Sequence, residues 1–148
     1  MDSFRFYHPI EVRYGDLDPQ GHVNNARFLT YMEQARVAYY KHLGLWQGGS
    51  FMDFGVILAE VRVTFRAPIR WGDPLRVGMR VTRLGNKSMT TEYRIENAQD
   101  GTEFANSTAA LVAFDYRQAC TVPVPESWRK KIIEFEGLDT APHHLENL

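Results

Sequence analysis

From Tyr14 to Arg36 the chain reads YGDLDPQGHVNNARFLTYMEQAR, which gathers two aspartates, a histidine and two asparagines ahead of an apolar-periodic run. A carboxylate such as Asp18 can take a proton or attack an electrophilic carbon. An imidazole four residues on, His22, can orient that acid or a water, or assist a leaving group. Pro19 and Gly21 punctuate the segment as a turn, since proline fixes φ and glycine reaches conformations that other residues avoid. Asn24 or Asn25 can cap a helix by accepting a bond from an orphan N–H of its first turn. An acid, an amide and an imidazole thus stand beside exposed N–H groups and the positive end of a helix dipole, where developing negative charge is stabilised. The same residue types also make an ordinary turn and cap, and spacing alone does not choose between the two readings. Asp16 reads as a turn-stabilising residue rather than a second acid. Glu33, at the border of the apolar face, reads as a solvated helix carboxylate.

Other chemistries fit poorly. The pattern D-x-D-x-x-G from Asp16 to Gly21 opens like a calcium loop, but Gln20 stands where a ligand is needed and Arg27 where the bidentate glutamate belongs. Gly85-Asn86-Lys87-Ser88 lacks the upstream glycine and the contiguous G-K-S/T of a phosphate loop. There is no G-x-S-x-G elbow and no histidine pair at zinc spacing. Neither a metal nor a cofactor is expected.

The elements that must position these groups follow from periodicity. Phe4, Phe6, Ile10, Val12 and Tyr14 share one parity, a strand that Pro9 marks as an edge or a bulge. A helix runs from about Asn25 to Leu43 and stops at Gly44. Its stripe of Phe28, Met32, Ala35, Tyr39 and Leu43 is widened by Leu29, Tyr31, Ala38 and Tyr40 to an arc of roughly 200°, against the usual ~100° or a little more. A helix this apolar is covered on most sides. The loop that follows, Leu45 to Asp53, carries Trp46, Phe51 and Met52, apolar enough to fold over a cavity or a neighbouring subunit. With Phe54 they read equally as the lining of an acyl pocket or as core. Alternation at period two then sets in at Val61, Val63 and Phe65, and continues through Leu75 to Thr82 and Met89 to Glu96. After Asp100-Gly101 comes Phe104 to Phe114, small and apolar on both faces, an inner strand lying against the helix. Short turns between alternating runs predict antiparallel meander pairs with one wet face. A short helix closes the fold at about 126–136, with Gly137 as its stop, and the tail with His143 and His144 is expected to be disordered. The fold class is α+β: one domain over 1–148, an antiparallel sheet of five or six strands wrapped around one long helix. Its open sheet edges favour pairing with a second copy.

With 148 residues and 44% hydrophobic, 24% charged composition, the chain closes a single core. A net charge of −1 gives no pull toward nucleic acid or an anionic membrane, so any polyanionic ligand must meet a local patch. The lone Cys120 excludes an internal disulfide. The first residues lack the plan of a signal peptide and no apolar run reaches membrane-spanning length, so a cytoplasmic protein is expected.

The segment YGDLDPQGHVNNARFLTYMEQAR resembles the signature of the hot-dog-fold acyl-CoA thioesterases of the 4-hydroxybenzoyl-CoA thioesterase-like group. The match is close over the aspartate turn and helix, and looser over the strand order to about Phe114. The resemblance implies a helix wrapped by a sheet, the hot-dog fold, and hydrolysis of an acyl-CoA thioester. It implies that Asp18 is the catalytic carboxylate and that the N–H near Asn25 polarises the thioester carbonyl. The run His22 to Asn25 is also similar to plant acyl-carrier-protein thioesterases, in which an aspartate, an asparagine and the histidine act together. Gln20 stands at the position of that asparagine and is taken as a substrate contact. The resemblance further places coenzyme A contacts near Arg83, Lys87 and Ser88, with Arg66 and Arg70 as other sources of positive charge. It implies a homo-oligomer, a dimer or a tetrameric dimer of dimers. An acyl-carrier-protein substrate and a non-catalytic acyl-binding module are the alternatives.

Overall fold

The computed structural model describes residues 4–139. The tail with His143 and His144 lies outside the described residues. Strand β1 (Phe6–Ile10) is followed by a single 3-10 turn at Tyr14–Asp16, helix α1 (Asn25–His42) and another 3-10 turn at Phe51–Asp53. Strands β2 (Val56–Phe65), β3 (Leu75–Leu84), β4 (Ser88–Asn97), β5 (Glu103–Asp115) and β6 (Cys120–Thr121) lead to helix α2 (Glu126–Glu136). The strands make one sheet of order β1-β3-β4-β5-β2, with β6 paired to β5.

Local chemistry explains most boundaries. The Asn24 carboxamide accepts from the Ala26 N–H at 2.9 Å, so Asn24 rather than Asn25 caps α1. The helix ends one residue before the expected Leu43, and Gly44 takes φ +74° to turn the chain away. Helix α2 begins after Pro125 and stops at left-handed Gly137, as the sequence indicates. Pro9 sits in β1, and β1 is indeed an edge. That strand is shorter than its parity suggested: it ends at Ile10, and Tyr14 is 79% exposed.

The meander holds for β3, β4 and β5, which are neighbours in the sheet, and β5 is an inner strand. Two features differ from the sequence reading. Strand β2 begins at Val56, because Val56-Ile57-Leu58-Ala59 is a continuous apolar run that carries no alternation. It also lies at the far edge beside β5, while β1 takes the place next to β3, pairing Phe6 with Met79 and Ile10 with Leu75.

The described chain divides into two compact units, and α1 and strands β2 to β5 each give residues to both. The first unit holds residues up to Tyr39, Arg62–Arg80 and Glu92–Thr108. Here α1 lays Phe28, Met32, Ala35 and Tyr39 on the sheet, all buried. Phe28 meets Phe65 of β2 edge-on at 5.0 Å, and Tyr39 meets Phe6 of β1 at 5.5 Å. The buried arc is shifted from expectation: Leu29 is 39% exposed, and Arg36 is buried. The Arg36 guanidinium donates to the Tyr93 hydroxyl at 3.0 Å and lies over that ring. The other face of β3 and β4 is polar, with Glu96 paired to Arg76 and Arg94 at 2.7 and 2.9 Å.

The second unit holds Tyr40–Val61, Val81–Thr91 and the chain from Ala109. An aromatic cluster organises it. Tyr40 packs on Phe54 and Trp128 with ring centroids 5.0 and 5.3 Å apart, and Trp46 packs on Phe51 and Phe54. Arg129 of α2 donates to the carbonyl oxygens of Gly85 and Asn86, fastening the helix to the β3–β4 turn.

Gly78 on β3 gives a direct check on packing. A Cβ there would stand 2.7 Å from Cγ of Phe4 and 3.1 Å from Cε1 of Tyr7. Gly78→Ala is expected to cost about 1–3 kcal/mol, the usual range for overpacking, read as a lower urea midpoint at unchanged slope.

Candidate active site

A tight hairpin carries the acid. Leu17 and Val23 bridge antiparallel, the Asp18 N–H donates to the His22 carbonyl at 2.8 Å, and the Gly21 N–H donates back to the Asp18 carbonyl at 2.9 Å. Gly21 has φ +81°, the conformation for which glycine is needed at the tip. The hairpin is anchored to the segment after β2 through the Val23 N–H to the Ile69 carbonyl and a bridge between His22 and Arg70. The Asn24 N–H donates to the Asp16 carbonyl, and α1 starts at the next residue.

Within this hairpin the two oxygens of Asp18 differ. Oδ1 accepts from the N–H groups of Gln20 and His22 at 2.9 and 3.3 Å. Oδ2 has no hydrogen-bond partner among the described residues. The Asn25 N–H also has none, because Asn24 caps the N–H of Ala26 instead.

Asp18, Gln20, His22, Asn24 and Asn25 line one cavity of about 530 Å³. Its remaining wall includes Phe28 of α1 with Phe65, Arg66 and Pro68 from the end of β2 and beyond. The candidate acid, the imidazole, Gln20 and the helix N-terminus are therefore brought together. Arg83, Lys87 and Ser88 do not line this cavity. They lie at the β3–β4 turn in the second unit, where the Lys87 ammonium stands 3.5 Å from the Thr121 hydroxyl. Trp46, Phe51, Met52 and Phe54 belong to that unit as well. Arg66 is in the cavity wall, whereas Arg70 is not. Among the described residues no three His, Cys, Asp or Glu side chains are grouped to hold a metal ion.

Asp16 plays a different part from Asp18. It is buried, and its Oδ2 accepts from the Tyr31 hydroxyl at 2.8 Å and from the Arg13 N–H at 2.9 Å. The partly exposed Arg27 stands 3.7 Å from its Oδ1. Burial, then the bond to Asp16 and its negative charge, push the Tyr31 hydroxyl well above the usual tyrosine range. Sequence reasoning missed this contact, although a tyrosine inside a buried helix face must find a partner for its hydroxyl. It also missed Phe65 as a cavity residue. The strand parity assigned that ring to the core, yet it is 46% exposed and faces the cavity.

A sheet packed by one long helix, with a carboxylate hairpin at that helix's N-terminus, is the hot-dog architecture. The chain belongs to the Thioesterase-like superfamily, whose model matches residues 12–132. It is similar to a thioesterase from Thermus thermophilus, solved in complex with coenzyme A and zinc, at 33% identity and a TM-score of 0.82, covering 94% of this chain and 99% of that one. It is 24% identical to the long-chain acyl-CoA thioesterase FadM of Escherichia coli over 83% of this chain and 93% of the relative. The match to the uncharacterized protein YsmA of Bacillus subtilis is 26% identical over 66% of this chain and 65% of that protein.

The Tyr31 environment makes a prediction for alkaline pH. The folded protein holds this proton more tightly than the unfolded chain, so the group's contribution is fully present below the ordinary value of about 10 and is lost as pH rises past it. Denaturant midpoints of the wild type are expected to fall more steeply above pH ~10 than those of Tyr31→Phe.

Proposed function

We propose that this chain is an acyl-CoA thioesterase that hydrolyses a thioester to the free acid and coenzyme A. The observation that carries the reading is one cavity lined by two residues, of which Asp18 has a carboxylate oxygen without a partner and Asn25 a helix N-terminal N–H without a partner among the described residues. The family membership and the activities named for its relatives support it. In this reading the Asn25 N–H receives the thioester carbonyl oxygen. Oδ2 of Asp18 either attacks the carbonyl carbon or takes a proton from the attacking water. The tetrahedral oxyanion is held by the same N–H and the dipole behind it, worth ~3–4 kcal/mol per pre-aimed donor. Its collapse breaks the C–S bond and releases the thiolate, to which His22 supplies a proton. On the nucleophilic route water then hydrolyses the acyl-aspartyl anhydride, releasing the free acid and restoring the Asp18 carboxylate. Oδ1, held by two N–H groups, keeps the carboxyl plane from rotating as charge moves. The Phe28–Phe65 pair gives the acyl group an apolar wall, and Gln20 contacts the substrate.

Arg83, Lys87 and Ser88 are assigned to the phosphates of the coenzyme A handle. The protein works in the cytoplasm as one domain that assembles into a homo-oligomer. Strand β2 supports assembly: it is a ten-residue sheet edge on which Leu58 and Phe65 are 43% and 46% exposed. Such an edge is normally covered. Light scattering is expected to return an even multiple of the chain mass, and a monomer at micromolar concentration would remove the oligomer from this reading.

Thiol release from a panel of aromatic and aliphatic acyl-CoAs, by wild type and Asp18→Asn, tests the chemistry. Turnover in Asp18→Asn is expected to fall by about three orders of magnitude or more, with coenzyme A affinity retained. Equal rates in the two proteins would remove Asp18 from the mechanism. No turnover by either would favour a carrier-protein thioester or a binding module.

A further inference from the structure

We propose that Asp16 and Tyr31 form a positioning pair: their buried hydrogen bond locks the Leu17–Val23 hairpin against the body of α1 and so sets where Asp18 stands relative to the Asn25 N–H. The proposal uses the thioesterase reading for its rate measurement, and its exchange measurement is independent of that reading.

The fastenings of the hairpin show why such a lock is needed. Its own cross-bonds, between Asp18 and His22 and between Gly21 and Asp18, hold it together but hold it to nothing else. The Val23 N–H bond to the Ile69 carbonyl, within the bridge that faces His22 to Arg70, ties it to the segment after β2. The Asp16 carbonyl bond to Asn24 joins it to the capping residue, which is itself part of the loop. The Asp16 carboxylate instead reaches Tyr31, six residues into the helix from Asn25, or about 9 Å along its axis. Two attachment points that far apart fix rotation as well as position. Arg27 adds a longer and half-exposed contact, which solvent screens.

The choice of groups argues for geometry over cohesion. Burying a carboxylate is costly unless its oxygens are bonded, and an apolar side chain of similar size in this place would pack without that cost. An apolar contact tolerates sliding, whereas a hydrogen bond of 2.8 Å fixes a distance and a direction. The neighbouring chemistry needs that fixity, since a misplacement of about 1 Å can cost about a hundredfold in rate. Neither Asp16 nor Tyr31 lines the cavity that holds Asp18 and Asn25.

Tyr31→Phe removes the donor and keeps the ring, and Asp16→Asn keeps an acceptor oxygen where Asp16→Ala does not. For Tyr31→Phe we expect kcat to fall about 10- to 100-fold with KM within about twofold. Asp16→Asn should recover part of the rate lost in Asp16→Ala. Amide exchange should accelerate across residues 16–25 while β3 and β4 keep their protection. A Tyr31→Phe protein with kcat and exchange both within about twofold of wild type would overturn the proposal. So would exchange that accelerates equally throughout the sheet, which marks a general loss of stability. If the wild type cleaves no acyl-CoA, the thioesterase reading fails, and the exchange pattern alone decides the positioning pair.

Discussion

A helix N-terminus cannot satisfy its own first N–H groups, and the proposed chemistry depends on keeping one of them open in the cavity that a carboxylate residue also lines. The danger is that the acid caps the helix itself, since aspartate is among the best capping residues. Three bonding choices prevent it. Asn24 takes the capping position and occupies the Ala26 N–H. Asp18 is turned back into its own hairpin, where Gln20 and His22 hold one of its oxygens. Asp16 is drawn away to Arg13 and Tyr31. What is left over, one N–H and one carboxylate oxygen on two residues that line the same cavity, is the pair that the proposed acyl transfer uses.

The part of this site that could be read from the sequence is the part built locally. Asp18, Gln20, His22 and Asn25 fall within eight consecutive residues, so turn and cap chemistry brings them together before any tertiary contact forms. Phe65 and Arg66 reach the cavity only because β2 ends beside the helix N-terminus, and strand parity speaks of faces rather than ends. Arg83, Lys87 and Ser88 show the converse. Their turn was located correctly, but alternation does not say at which end of a sheet a turn lies, and none of the three is among the residues lining this cavity. The helix, α2 and the meander of β3, β4 and β5 were legible because amphipathic period and turn residues agreed. The displacement of β2 to the far edge was not, because edge pairing leaves no trace in a strand's own alternation.

The two edges of the sheet are treated differently, and the difference bears on the cavity. Strand β1 is five residues long and carries Pro9, two features that discourage further pairing. Strand β2 is twice as long, contains no proline and keeps Leu58 and Phe65 substantially exposed. An edge of that kind is a liability in isolation, and this is the physical ground for the proposed assembly. Phe65 is at once the last residue of β2 and part of the cavity wall against Phe28. Whatever paired with the β2 edge along its full length would therefore also border the cavity wall that Phe65 forms with Phe28.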